Sequence, residues 1–226
     1  VIVQNKDDKD FVYKNLFCSM TKIFIIRGSG VDINFHKVQL ERSHPPIIIS
    51  YVGRLIKDKG IEFLIEAFKL ALKSNKDIKL LLVGSLDSNN IRPISKKYLE
   101  DSINNENNIE YIGEVKDVRE IWKISHIAIL PSKREGLPKS LLEAAAAGRA
   151  IISTDVPGSR EIAINSINAE IVQLDDVNGF SQAILHLAKN HKVRKSYGLK
   201  SRELVESDMS EEQVISNTLS LYKTFN

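Results

Sequence analysis

From Ile47 onward, apolar runs of four to six residues alternate with amphipathic stretches, and this alternation constrains the fold more than any other feature. The runs are Ile47–Val52, Ile78–Val83, Ile109–Ile112, Ile127–Leu130, Ala150–Ser153 and Ala169–Val172. They are nearly continuously apolar, as strands buried on both faces must be. The segments between them read as helices. The clearest carries Ile61, Leu64, Ile65, Phe68, Ala71 and Leu72 at helical spacing. Strand–helix alternation of this kind builds parallel βαβ units, so the reading is an α/β fold with a doubly wound parallel sheet covered by helices. From about Val177 the chain reads as helical to its end, with breaks near Asn190 and Ser207.

Residues 1–44 form a different zone. The opening VIV reads as a buried strand, followed by polar NKDDKD, a helix-like stretch to about Met20 and a strand at Lys22–Ile26. Gly28–Gly30 and then Pro45–Pro46 break the chain. A domain rarely begins inside a strand, so the expectation is a fragment, a processed product or one piece of a split gene. With 42% hydrophobic and 27% charged residues, the composition is that of an ordinary globular chain. A formal charge of +3 does not demand nucleic acid, but it suits an anionic ligand or an anionic membrane face. The single cysteine, Cys18, cannot form an internal disulfide, and neither a membrane-spanning run nor a signal peptide is read. The expected place is the cytoplasm, with peripheral attachment at the inner membrane face as a variant.

In a doubly wound sheet, ligands bind beyond the carboxyl ends of the strands, where the strand order reverses. With the order 3-2-1-4-5-6, the first and fourth strands flank that crevice. The loop after the first strand runs Gly53-Arg54-Leu55-Ile56-Lys57-Asp58-Lys59-Gly60, and the loop after the fourth runs Pro131-Ser132-Lys133-Arg134-Glu135-Gly136-Leu137-Pro138. Gly53 allows a close turn, Arg54 offers a planar fork of donors, and Lys59 brings a compact charge to the start of the next helix. A merely solvated basic loop is the alternative, which the position at the crevice disfavours. In the second loop, Gly136 permits close backbone approach and Pro138 suits a helix start. Glu143 shares a helix face with Lys139, so it reaches the crevice or simply pairs with that lysine. Spacing alone favours surface roles for Glu135 and Glu143, and it does not fix how far apart their carboxylates lie. In the loop Thr154–Glu161, Ser159 reads as a helix cap and Glu161 as a surface residue or a partner of Arg160.

At these loops the sequence resembles the group 1 family of retaining glycosyltransferases, over essentially the whole chain. The pieces are Val52-Gly53-Arg54-Leu55 with Lys59-Gly60, Leu82-Val83-Gly84, Tyr111-Ile112-Gly113, Leu130-Pro131-Ser132, Glu135-Gly136-Leu137-Pro138 with Leu142-Glu143-Ala144, and Asp155-Val156-Pro157-Gly158-Ser159-Arg160-Glu161. Glu135 and Glu143 fit the family's E-x7-E signature. Gln4-Asn5, Asp7-Asp8 and Gly28-Ser29-Gly30-Val31-Asp32 resemble the end of the family's N-terminal domain and the crossing into the second. The resemblance implies a Rossmann-like C-terminal domain of a GT-B enzyme. Residues 1–44 would then be the end of the N-terminal domain and the linker, and 45–226 the donor domain with its C-terminal helices.

The resemblance also implies roles. Arg54 and Lys59, beside Gly53, would neutralise a donor diphosphate without a bound metal or other cofactor. Glu143 would hold the ribose hydroxyls. Glu135 would contact the donor sugar as the catalytic residue, and backbone N–H groups near Gly136, Leu137 and Lys139 would contact sugar or phosphate. The base would lie near Ile112–Val115. The implied reaction moves a hexose or amino-hexose from a UDP- or GDP-sugar to a glycan or lipid-linked acceptor, with retention, in cell-envelope polysaccharide synthesis. The family usually places a Phe one residue after the position of Phe35, where this chain has His36. It also draws acceptor contacts from an N-terminal domain that is almost absent here. The chain alone is therefore expected to transfer sugar poorly, and an N-terminal partner chain or a dimer contact is expected. The alternatives are a non-catalytic nucleotide-sugar-binding remnant or a subunit of a split enzyme, and an epimerase of the same shape. A nicotinamide-dependent dehydrogenase would need G-x-G-x-x-G after the first strand, which Gly53 does not begin.

Overall fold

The computed structural model describes residues 1–41, 44–87, 90–104 and 106–224. In chain order the elements are β1 (Ile2–Val3), α1 (Lys6–Asn15), a 3-10 turn (Met20–Lys22), β2 (Phe24–Ile25), β3 (Ile47–Val52), a 3-10 turn (Lys57–Lys59), α2 (Ile61–Leu72), β4 (Ile78–Val83), α3 (Lys96–Asn104), β5 (Ile109–Gly113), α4 (Arg119–Ile124) and β6 (Ile127–Leu130). Then come α5 (Lys139–Ala146), β7 (Ala150–Thr154), α6 (Pro157–Arg160), β8 (Ala169–Val172), α7 (Val177–Lys189), α8 (His191–Asp208) and α9 (Glu211–Lys223). β3 to β8 form one sheet in the order β5-β4-β3-β6-β7-β8, and every pairing is parallel. Counted within the sheet, this is the expected 3-2-1-4-5-6, with the order reversing between β3 and β6.

The apolar runs became strands because helices cover both sheet faces. Ile49 and Tyr51 of β3 and Leu80 and Leu82 of β4 enter the main core, while Ile48 and Val52 and Leu81 and Val83 pack into a second cluster with Ile121 of α4. Alternate residues on one strand point to opposite faces, so both faces demand apolar side chains. Each apolar residue of the α2 stripe is buried. α2 packs on α7, where Phe63 meets the Phe180 ring edge-on at 5.0 Å between centroids.

The lead corrects the sequence reading in two places. Val1 and Ile2 are 57% and 53% exposed, so the opening VIV is not a buried strand. It forms a short parallel pair with β2, which spans Phe24–Ile25 rather than Lys22–Ile26. Lys22 belongs to the preceding 3-10 turn, closed by Ile23 N–H donating to the Met20 carbonyl.

The stretch Ile33–Glu41 is held against the sheet domain by three arginines. Arg202 donates to the carbonyls of Ile33, His36 and Ala146. Arg149 donates to the carbonyls of Gln39, Ser125 and Ala147. Arg194 binds Glu41 and also the Leu187 and Ala188 carbonyls at the end of α7. Helix ends leave such carbonyls unpaired, and a guanidinium can satisfy several at once. Val31 pairs with the start of α9: its N–H donates to Met209 O and its carbonyl accepts from Glu211 N–H, each at 3.0 Å. Among the described residues, no helix is long and apolar enough to cross a membrane.

Gly60 lies where the two loops that flank the reversal pack against each other. It adopts φ 70°, ending the turn Lys57–Lys59 and starting α2. A Cβ there would lie 2.2 Å from the Pro131 carbonyl oxygen. Gly60→Ala is expected to cost about 2–4 kcal/mol, from left-handed backbone plus steric overlap, and so to lower the midpoint of a thermal melt by roughly 5–15 °C. A melt unchanged within about 2 °C would show that the two loops separate without penalty.

Candidate functional site

The loops after β3 and β6 converge. Lys133 N–H donates to the Asp58 carbonyl at 2.9 Å, and Lys59 Nζ lies 2.6 Å from Glu135 Oε1. The side chains of this ion pair are only 23% and 9% exposed. They form one wall of an open crevice of about 290 Å³, which Gly53, Arg54, Leu137, Lys139 and Glu143 also line. Arg54 stands at its rim, 59% exposed, with Nη1 3.2 Å from Asp87 Oδ2. The Tyr51 hydroxyl below donates to the Arg54 carbonyl at 2.7 Å and fixes the turn. Burial pushes the Tyr51 phenol well above its ordinary pKa, aided by the charge of Glu135.

α5 begins at Lys139 with Pro138 as its cap residue, so its first N–H groups point at the crevice end of the sheet. Lys139 and Glu143 lie one turn apart, with Nζ to Oε1 at 3.9 Å. Lys139 is 73% exposed and Glu143 only 13%. Both readings of Glu143 therefore hold: it reaches the crevice and it faces the lysine. Burial raises its pKa above the ordinary carboxylate value, and Lys139 opposes that shift.

Glu143 and Lys139 also line a second cavity of about 390 Å³, walled by the 29–36 stretch and the β5–α4 loop. Here Phe35 supports the Arg119 guanidinium 3.6 Å from its ring centroid. Arg119 Nε donates to both Asp117 oxygens, at 2.8 and 3.0 Å, which holds that carboxyl at about 2. His36 is buried beside them, and its Nδ1 has no hydrogen-bond partner among the described residues. Burial and then the Arg119 charge lower its pKa, so the ring is neutral at neutral pH.

Several expected residues lie elsewhere. Gly136 touches the lead instead of lining the crevice: its carbonyl accepts from Asn5 Nδ2 at 3.0 Å. Ile112 is 37% exposed, and Val115 packs against the Leu81–Val83–Ile121 cluster. The cavity beside Glu143 is lined by the next residues, Lys116 to Arg119. Ser159 does not cap a helix: α6 starts at Pro157 after Val156, and Ser159 lies inside it, fully buried. Glu161 is only partly exposed and is not a partner of Arg160. It accepts from the Lys6 N–H at 3.0 Å and from Arg27 Nε at 3.2 Å, while Arg160 binds Asp155. Asp117 and Arg119 carry no signal in the sequence; Asn5 and the Gly28–Asp32 stretch stand out there only through the resemblance, and Phe35 and His36 only as a departure from it, so neither their shared cavity nor the Asn5 contact was foreseen.

Comparison with known proteins fits this arrangement. The family model for glycosyl transferases group 1 matches residues 32–204. The capsular polysaccharide biosynthesis glycosyltransferase CapM of Staphylococcus aureus is 30% identical over 208 residues, covering 88% of this chain and 54% of that protein. The UDP-Gal:alpha-D-GlcNAc-diphosphoundecaprenol alpha-1,3-galactosyltransferase of Escherichia coli is 26% identical, covering 83% of this chain and 50% of that protein. The chain thus spans about half the length of the curated relatives it matches. Among solved structures, a glycosyltransferase from Rickettsia africae superposes with a TM-score of 0.86 at 22% identity, covering 99% of this chain and 62% of that one. S. aureus TarM, solved in complex with UDP, gives 0.80 at 22% identity, covering 98% and 43%. The fold is that of the C-terminal Rossmann-like domain of GT-B glycosyltransferases.

Proposed function

The chain belongs to the group 1 glycosyltransferases, and from that premise we propose that it is the donor-binding half of a retaining enzyme. In this reading it moves a hexose or amino-hexose from a UDP- or GDP-sugar to a glycan or lipid-linked acceptor. The observation that carries the proposal is the meeting of Lys59 and Glu135 at 2.6 Å in a crevice that also holds Arg54, Lys139 and Glu143. Cations at a helix start suit a diphosphate, and a carboxylate between them suits hydroxyls.

The two cavities share Lys139 and Glu143, and in this reading the donor runs along both. Arg54 and Lys59 neutralise the diphosphate, so that no metal is needed. Glu143 accepts from the ribose hydroxyls, and Glu135 touches the sugar. The nucleoside extends toward the planar wall of Arg119 and Phe35. As the glycosidic bond breaks, the leaving diphosphate gains charge, which Arg54 and Lys59 stabilise. That same diphosphate takes the acceptor proton on the face it leaves. The acceptor class rests on the relatives' names, capsular polysaccharide synthesis and a diphosphoundecaprenol-linked sugar; in this reading the chain works in the cytoplasm, at the inner membrane face. Transfer by this chain alone is slow in this reading. Holding donor and acceptor in near-attack geometry is worth about 7–11 kcal/mol, and the crevice described is open.

The test is calorimetric titration with UDP and GDP, in chelator, across the range above the ordinary carboxylate pKa. The unfolded chain releases the Glu143 proton at lower pH than the folded one, so rising pH lowers stability through this group. Ribose binding favours the ionised form, so nucleotide affinity is expected to rise over the same range. Glu143→Gln should flatten that dependence and weaken binding by about tenfold or more, as expected for charge-assisted hydrogen bonds. No binding of either nucleotide would overturn the donor reading. Binding that ignores both pH and the substitution would overturn the ribose role.

A further inference from the structure

Asn5 is fully buried at the start of α1. Its Oδ1 accepts from Asp8 N–H at 2.7 Å, which is the ordinary work of a helix cap. A cap needs only that oxygen. The amide nitrogen does something further: Nδ2 donates to the Gly136 carbonyl at 3.0 Å, 131 residues away in sequence, as well as to Asp8 Oδ2 at 2.9 Å. Gly136 is the residue after Glu135.

The same dipeptide is gripped by α6. Gly158 N–H donates to the Glu135 carbonyl at 3.2 Å, and a Cβ on Gly158 would sit 2.2 Å from the Gly136 oxygen. The lead is in turn fastened to α6, through Lys6 N–H to Glu161 at 3.0 Å and Arg160 to Asp7 at 3.4 Å. Gln4 closes the remaining space, since its Oε1 lies 2.7 Å from where a Gly136 Cβ would stand. The carbonyls of Glu135 and of Gly136, in two successive peptide units, are therefore both engaged by elements outside their own loop. A shift of this backbone would move the Glu135 Cα, and with it the carboxylate that meets Lys59 at 2.6 Å.

We propose that Asn5 is a positioning residue, fixing the Glu135–Gly136 backbone so that the Glu135 carboxylate stays at the sugar end of the crevice. This rests on the donor reading above. It makes the lead part of the site: the segment Gln4–Lys6 reports its own placement to the loop that touches the sugar.

The test separates the two jobs of Asn5. Asn5→Ser and Asn5→Asp both keep an oxygen for the cap, and neither offers the amide N–H to Gly136 at neutral pH. Each variant and the wild type are titrated with UDP and UDP-glucose, and in parallel with GDP and GDP-mannose, alongside thermal melts. The expected result is unchanged affinity for the nucleoside diphosphate, and affinity for the matching nucleotide-sugar reduced by about three- to tenfold, the order of one neutral hydrogen bond. A purely structural role would lower both affinities together, in step with the melting temperature, and would overturn the proposal. So would variants that bind both ligands as the wild type does, or variants that both fail to fold. If the wild type binds no nucleotide, the donor reading itself fails. If it binds the diphosphates and gains nothing from either sugar, only the sugar contact of Glu135 fails, and this inference with it.

Discussion

Alanine at both Arg54 and Lys59 is expected to weaken UDP or GDP binding by about 30- to 1000-fold, equivalent to about 2–4 kcal/mol. Each side chain can give a charge-assisted hydrogen bond, worth about 1.5–3 kcal/mol when well shielded from water. Arg54 is 59% exposed and already engages Asp87, so it contributes toward the low end. Lys59 is more enclosed, at 23%, and lies against Glu135, so Lys59→Ala should be the larger single effect. It should also lower stability, because it leaves a nearly buried Glu135 carboxylate without its partner. The two losses need not add, since both residues face one diphosphate. Calorimetry at two salt concentrations checks the assignment: wild-type affinity should fall as salt rises, and the double variant should show less of that fall. Unchanged affinity in the double variant would remove the diphosphate from this crevice.

The sheet and the crevice were legible in the sequence because each depends on local chemistry. Six apolar runs between amphipathic stretches leave little room for any but a parallel sheet, and strand order then decides which loops meet. Gly53, Arg54, Lys59, Glu135, Leu137, Lys139 and Glu143 came together because they flank the reversal between β3 and β6. What was illegible depends on contacts across long stretches of chain. Nothing near Asn5 in sequence announces Gly136, and nothing near Phe35 announces Arg119. The same holds for Arg149, Arg194 and Arg202, which hold the 33–41 stretch through its carbonyls and Glu41 with no signal near them in the sequence. Ser159 was misread for a different reason. Its type suits a cap, but Pro157 begins α6 two residues earlier, and Pro fits a first turn because its missing N–H has no partner there.

Glu135→Gln should move two measurements in opposite directions. The glutamine keeps the shape of the side chain and removes its charge. Lys59, held 2.6 Å from Glu135 in the wild type, is then released to face an incoming anion. The nucleoside diphosphate alone is therefore expected to bind tighter, by about three- to tenfold, as one nearby negative charge is removed from a partly screened site. Transfer from the nucleotide-sugar should fall by about 100- to 1000-fold, the scale of losing one preorganised electrostatic contact to the reacting sugar. The first measurement is calorimetry with UDP and GDP. The second is nucleotide release from UDP- and GDP-sugars with a glycan or lipid-linked acceptor, run with and without an N-terminal half supplied as a separate chain. A general loss of folding would weaken both, so the opposed signs identify a charge that touches the sugar and competes with the phosphate. If both measurements fall together while the thermal melt stays that of the wild type, Glu135 only holds Lys59 in place. If neither changes, the donor does not sit between these two loops.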